Sequence, residues 1–356
     1  MIDMPLCPEC GIPELVTNTH IWLGNGTIVQ SANTQIRLII HESQNLDQLF
    51  AGIANITGKP VEPIITDATR RATRAYMSSL VPDEIKSQLR TGEIDVFAAG
   101  EMIILFARAM GYGNVTVVAA RYEGDDDDYV VMRYTEPYSV ALLDGNIAGT
   151  VEAVIDREVS ITHKEISADT HEVLFAIPEK RSELENIEVE LFQPTKGDIE
   201  LKKCSTCGGP AALCDYKWDL GRGVINLDHS GRRMCMLGPI VMDPLFEALE
   251  SELGEDIPGV VIEAQRRFVR DGMYSVTEVR SESQMREFFA LRGLGYIREL
   301  RMGRKGVWFA LDNALMPLMV VGQTQGMYEY VFGIESRVEW EFTREGTLVI
   351  QITPWD

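Results

Sequence analysis

A short cysteine motif occurs twice in this chain and constrains its fold more than any other feature. It reads Cys7-Pro8-Glu9-Cys10-Gly11-Ile12-Pro13 near the start and Cys204-Ser205-Thr206-Cys207-Gly208-Gly209-Pro210 past the middle. Adding 197 to a position in the first copy lands on its partner in the second. This holds at the cysteines, at Gly24 and Gly221, Gly26 and Gly223, Ile28 and Ile225, and on to Ile65 and Ile262 and to Arg70 and Arg267. Similarity at a fixed offset over such a length predicts two related units. Further on the offset shrinks. Residues 108–112 match 292–296, and Gly149 with Glu152 matches Gly326 with Glu329, as expected if the second unit has shorter loops.

Each unit carries the same coarse pattern. An apolar segment around a tryptophan (Trp22, Trp218) leads into a Gly-x-Gly turn and a strand-like run, which predicts a hairpin. Apolar residues at helical spacing follow (Leu46, Leu49, Phe50, Ile53; Leu245, Phe246, Leu249, Leu253), then an arginine-bearing helix over 67–80 or 263–273. A further helix over 97–110 or 285–294 ends at the shared glycine and tyrosine. Strands at 114–121 and 129–134 flank an acidic tip, a helix spans 137–153 or 317–332, and a hairpin closes each unit at 158–177 and 336–352. Helices beside an antiparallel sheet make each half α+β. The expected organisation is a first unit at 1–178, a charged linker at 179–203 and a second unit at 204–356, the two forming an intramolecular pseudo-dimer.

The formal charge of -21 repels phosphate backbones and anionic bilayers, which argues against nucleic-acid and membrane partners. No basic segment followed by an apolar run opens the chain, and no apolar stretch is long enough to span a bilayer, so the expectation is a cytoplasmic, acidic protein.

Of six cysteines, four form two C-x-x-C pairs, a spacing that lets two thiolates of one turn grip a metal ion. Paired across the two units, Cys7, Cys10, Cys204 and Cys207 would make one closed tetrahedral zinc site that staples the halves and catalyses nothing. Two alternatives stand beside it. One is a site of Cys204, Cys207, Cys214 and Cys235 within the second unit; the other is reduced or redox-active thiols. His20 is a candidate for contact with a metal or ligand, whereas His163 and His171 flank a hairpin turn and read as exposed polar residues.

The run Ile21-Trp22-Leu23-Gly24-Asn25-Gly26-Thr27-Ile28, the arginine-bearing helix, residues 108–112 and Gly149-x-x-Glu152 before a hairpin resemble the 4-vinyl reductase-type sensor domains. The resemblance implies α+β units that dimerise, enclose an apolar pocket for a small hydrophobic or aromatic molecule and often hold zinc. Ligand-binding candidates are Arg70 and Tyr112, their counterparts Arg267 and Tyr296, and Trp308 and Tyr328 of the aromatic-rich second half.

No phosphate loop, dinucleotide fingerprint or nucleophile elbow is present, which favours binding over catalysis. The expected function is a non-catalytic sensor or accessory protein, with a possible protein partner. One alternative is a reductase or accessory factor acting on a tetrapyrrole or other conjugated substrate, with polar groups converging from Arg70, Arg74, Tyr112 or Arg267, Asp271 and Tyr296. Another is a scaffold subunit. Methionines and aromatics gather in the second half, including Met273, Tyr274, Phe288, Phe289, Phe309, Met316, Met319 and Met327, as core or as an adaptable pocket.

Overall fold

A computed structural model describes residues 4–179, 192–254, 256–273 and 281–355. The first half runs α1 (Glu14–Thr19), β1 (His20–Trp22), β2 (Ile28–Gln30), β3 (Arg37–Glu42), α2 (Ser43–Thr57), α3 (Glu62–Leu80), α4 (Asp83–Thr91) and α5 (Val96–Ala109). It continues with β4 (Asn114–Arg121), β5 (Tyr129–Thr135), α6 (Val140–Ile155), β6 (Ser160–Ser167) and β7 (Thr170–Ala176). After a 3-10 turn at Ala211–Asp215 come β8 (Tyr216–Asp219), β9 (Val224–Leu227), β10 (Arg233–Leu237), α7 (Pro239–Leu253), α8 (Ile257–Phe268) and α9 (Glu282–Leu291). The chain ends with β11 (Tyr296–Gly303), β12 (Gly306–Asp312), α10 (Pro317–Phe332), β13 (Ser336–Phe342) and β14 (Leu348–Pro354). The fold is mixed α and β with antiparallel sheets, as expected, and among the described residues the element order of the two halves corresponds, with a 3-10 turn in place of α1 and no described counterpart of α4.

Three sheets organise the molecule. Two have four strands in matching orders, β4-β5-β7-β6 and β11-β12-β14-β13. The third has six strands, β1-β2-β3-β10-β9-β8, and both halves build it. Its centre is the antiparallel pair β3 and β10, with Cys235 opposite His41 and Met236 opposite Ile40. Both strands are almost wholly buried, since Leu38 to Ile40 and Met234 to Leu237 lie in the core. Neither strand was visible as a separate element in the sequence, because a strand covered on both faces loses the alternation that marks a half-exposed one.

The halves also lock through their hairpin turns. Gly26 and Gly223, both at positive φ, sit where an added Cβ would lie 2.2 Å from the carbonyl oxygens of Gly295 and Gly113 of the opposite half. Gly295 N–H donates to the Gly26 carbonyl at 3.1 Å and Gly113 N–H to the Gly223 carbonyl at 2.8 Å. Trp22 Nε1 donates to the Leu291 carbonyl and Trp218 Nε1 to the Ala109 carbonyl, each at 2.9 Å. Arg37 donates to the Asn313 carbonyl, and Arg233 to the carbonyls of Glu136 and Pro137. The main hydrophobic core accordingly runs through both halves.

Residues 192–202, the described part of the expected linker, form a strap with no regular secondary structure. Arg37 stacks over Phe192, Asn313 Oδ1 accepts from Thr195 N–H at 2.8 Å, and Ile199 N–H donates to the Gly24 carbonyl at 2.9 Å. The linker expected at 179–203 otherwise falls at 180–191, outside the described residues, as does Tyr274.

Within each half, α6 lies on α3 and α10 on α8 through small residues. A Cβ at Gly149 would stand 2.3 Å from the Arg70 carbonyl oxygen, and one at Gly322 2.4 Å from that of Ile262. Backbone cannot yield as a flexible side chain can, so overpacking here is costly. Gly149→Leu is expected to lower the stability to urea unfolding by about 3 kcal/mol. Gly100→Ala, on the loosely packed α5 with nothing within 4 Å of the new methyl, is expected to raise it by about 0.5–1 kcal/mol.

Candidate metal and ligand sites

The two C-x-x-C turns are brought face to face. In each, the first cysteine's carbonyl accepts from the glycine after the pair (Gly11 N–H at 2.8 Å, Gly208 N–H at 3.1 Å), and that glycine has positive φ. This tight knuckle turns both thiols to one side. Cys7 Sγ lies 3.8 Å from Cys204 Sγ and Cys10 Sγ 3.5 Å from Cys207 Sγ. All four sulfurs fall within 4.8 Å of one another. Four thiolates at about 2.3 Å from a tetrahedral zinc would stand about 3.8 Å apart, so the spacing suits such an ion. A backbone hydrogen bond at Cys10 lowers the Cys7 thiol to about 7, whereas burial pushes Cys10 and Cys207 up. Across the knuckles, the Glu9 carboxylate accepts from Ser205 Oγ at 2.6 Å and Thr206 Oγ1 at 2.8 Å, which holds its carboxyl near 2.

Cys214 and Cys235 stand outside this group. Cys214 is exposed, and Cys235 is buried in the central strand β10 within the main core. The arrangement of four cysteines within the second half is therefore not formed. His20 is also not a ligand of the cluster: it is buried, and Nδ1 meets the Val16 carbonyl at 3.1 Å.

The expected ligand-binding residues are not gathered. Arg70 lies between Glu152 and Glu158, at 3.5 and 3.4 Å. Tyr112 stacks on Tyr138 with ring centroids 4.4 Å apart. Arg267 faces solvent and pairs with Glu263. Tyr296 donates its hydroxyl to Asp198 at 2.7 Å, Trp308 lies under the Arg301 guanidinium, and Tyr328 donates to the Arg304 carbonyl at 2.8 Å. The residue that matches Arg70 in its ion pair is Arg266, which reaches Glu329 at 2.5 Å as Arg70 reaches Glu152. The loop between β9 and β10 is one residue shorter than that between β2 and β3, so the offset changes from 197 to 196 before α8 begins.

A cavity of about 170 Å³ does open in the first half, beneath α5. The sheet supplies Val115, Val130 and Met132, α6 supplies Leu143, Ile147 and Val151, and α5 closes it with Ile103, Ile104 and Ala107. Arg121 and Asp128 stand at the rim, already paired with each other. None of the six expected ligand residues lines this space. The missed signal was α5 itself, whose only charged residues are Glu101 and Arg108. A helix apolar all round should be buried. Only Ala109 is, and Phe97 and Met102 remain 45% and 51% exposed, so α5 is a cover resting on a hollow.

In the second half the matching space is filled. α9 is amphipathic and drives Met285, Phe288 and Phe289 inward, with Phe289 edge-on to Phe309 at 6.0 Å. Met316, Met319 and Met327 are buried around them, so the aromatic and methionine-rich segment is core.

No protein-family model matches the chain, and no curated protein matches it. Among the described residues, no helix is long and apolar enough to cross a membrane.

Two buried histidines set an acid response. Desolvation lowers His20 to about 4; desolvation and then the Arg292 charge lower His41 to about 3. The unfolded chain takes up these protons near the ordinary value of 6.5, so their contribution is complete above that pH and is lost as pH falls towards 4 and 3. Urea unfolding is expected to weaken over this window by up to about 1.4 kcal/mol per pH unit for each histidine, and His41→Gln is expected to flatten the slope.

Proposed function

We propose that this chain is a non-catalytic binding protein whose first half holds a small, uncharged hydrophobic or aromatic molecule under α5, while a zinc ion on Cys7, Cys10, Cys204 and Cys207 fastens the halves together. The observation that carries the reading is the hollow beneath α5, set against the filled core at the same place in the second half. Its walls are almost wholly apolar, and the cations and anions at its rim neutralise one another, so a neutral guest fits best. The volume resembles that of an apolar cavity of about 150 Å³ that takes up benzene, which favours a single ring over a tetrapyrrole. The polar groups that a reductase would need, Arg70, Arg74 and Tyr112, do not line it. The resemblance to the 4-vinyl reductase-type sensor domains supports the same assignment: a ligand pocket in an α+β unit, and halves paired as a pseudo-dimer.

Zinc is chosen over harder ions because all four donors are thiols. Four thiolates close its coordination, so the ion serves the fold and leaves no position for substrate.

Thermal-shift and ligand-observed NMR titrations with benzene and indole should show binding to the wild type, and Ile147→Trp, which fills the hollow, should abolish it. A wild type that takes up neither probe nor a short alkane overturns the ligand reading. Native mass spectrometry should find one zinc ion per chain bound through the cysteine cluster, and Cys7→Ser should lower the melting temperature. Protein whose stability is the same after chelation overturns the zinc reading.

A further inference from the structure

The closing hairpin of the first half carries a polar chain that the binding function does not use. Asp144 on α6 accepts from His163 Nδ1 on β6 at 3.1 Å, and His163 Nε2 lies 3.0 Å from His171 Nδ1 on β7. Tyr134, on β5 directly opposite His171, lies behind them and is fully buried. Asp144 and His171 are 6% and 7% exposed, while His163 reaches solvent. The buried hydroxyl of Tyr134 faces the Asp144 carboxylate, and neither it nor Asp144 Oδ1 has a hydrogen-bond partner beyond that contact.

The second half shows that the fold does not require this set. Strand registers equate Tyr134 with Leu311, His163 with Trp340 and His171 with Leu348, since Tyr134 opposes His171 as Leu311 opposes Leu348, and His163 opposes Val173 as Trp340 opposes Ile350. The helix contacts of Gly145 and Gly322 equate Asp144 with Val321. Leu311, Val321 and Leu348 are fully buried, and Trp340 is half-buried. One half thus fills this position with four apolar side chains and the other with a tyrosine, an aspartate and two histidines joined in a hydrogen-bonded chain.

We propose that His163 and His171 form a metal site distinct from the cysteine cluster, taking a divalent first-row transition ion such as Zn²⁺ between His163 Nε2 and His171 Nδ1. Asp144 is the positioning residue. By accepting from Nδ1–H it fixes the tautomer of His163 and turns the Nε2 lone pair outward, the carboxylate–histidine arrangement found behind metal-bound imidazoles. Two imidazoles at about 2.0–2.1 Å from a tetrahedral ion stand about 3.3 Å apart, within a few tenths of an ångström of the observed separation. Glu165 is two residues along β6 from His163, on the same face and opposite His171 in the strand register. Solvent completes the coordination from the side on which His163 is exposed.

The test uses the full-length protein stripped with chelator and titrated with Co²⁺ and Zn²⁺ alone. Wild type should bind a Co²⁺ equivalent that lacks thiolate-to-metal charge-transfer absorption, and this equivalent should persist in Cys7→Ser. It should vanish in His163→Ala and in His171→Ala, and weaken about 10–100-fold in Asp144→Asn. A chain given the second half's residues, Tyr134→Leu with Asp144→Val, His163→Trp and His171→Leu, should fold and lack it. The proposal fails if wild type shows no such equivalent, or if the equivalent survives the loss of both histidines.

Discussion

The pairing of β3 with β10 is the constraint on which the rest of the molecule depends. These strands are the middle of a sheet to which each half gives three strands, so neither half can satisfy its central backbone groups alone. The flanking hairpins add to this dependence. Each Gly-x-Gly turn reaches across to a glycine of the other half, and each hairpin tryptophan donates to a carbonyl at the end of the other half's α5 or α9. The four cysteines lie in a smaller apolar cluster built from the same hairpins, so a metal there would reinforce contacts that the backbone already makes.

Within this shared frame the two halves have been finished differently. Helices α3 and α6, like α8 and α10, meet at glycines with almost no freedom, and buried Glu152 and Glu329 each accept from a backbone N–H where the next strand begins, that of Val159 just before β6 and that of Ser336 at the start of β13. These positions hold the scaffold and are alike in both halves. Differences are concentrated where α5 and α9 meet their sheets and in the closing hairpins. Aromatic rings close the space under α9, whereas smaller side chains leave it open under α5, and the walls there lose the dispersion contacts that a packed core would make.

Much of this was legible in the sequence. The cysteine spacing named the four metal-binding candidates, and the Gly-x-Gly turns, tryptophans and Gly-x-x-Glu segments marked corresponding positions, whereas the match of 108–112 to 292–296 was two residues out of register, since Gly111 and Gly113 stand where Gly293 and Gly295 do. Their roles were not legible. Gly26 and the segments at 108–112 and 292–296 are points where the halves touch, Gly24 holds the strap at Ile199, and Arg70 and Tyr112 are held in ion pairing and ring stacking and do not line the cavity. Arg267 was matched to Arg70 one residue too far along, because a single deletion in a loop turns a helix by about 100° and exchanges an inward arginine for an outward one.

What the sequence determined by itself was local: α+β elements, tight cysteine knuckles, and strand and helix periods. Only the tertiary structure decided that the central strands pair across the halves, that the four thiols converge, that one half is hollow under α5, and that Asp144, His163 and His171 meet. Each of these depends on side chains far apart in the chain approaching within a few ångströms. Local propensity does not encode that approach, because it follows from which surfaces are buried together once every element has formed.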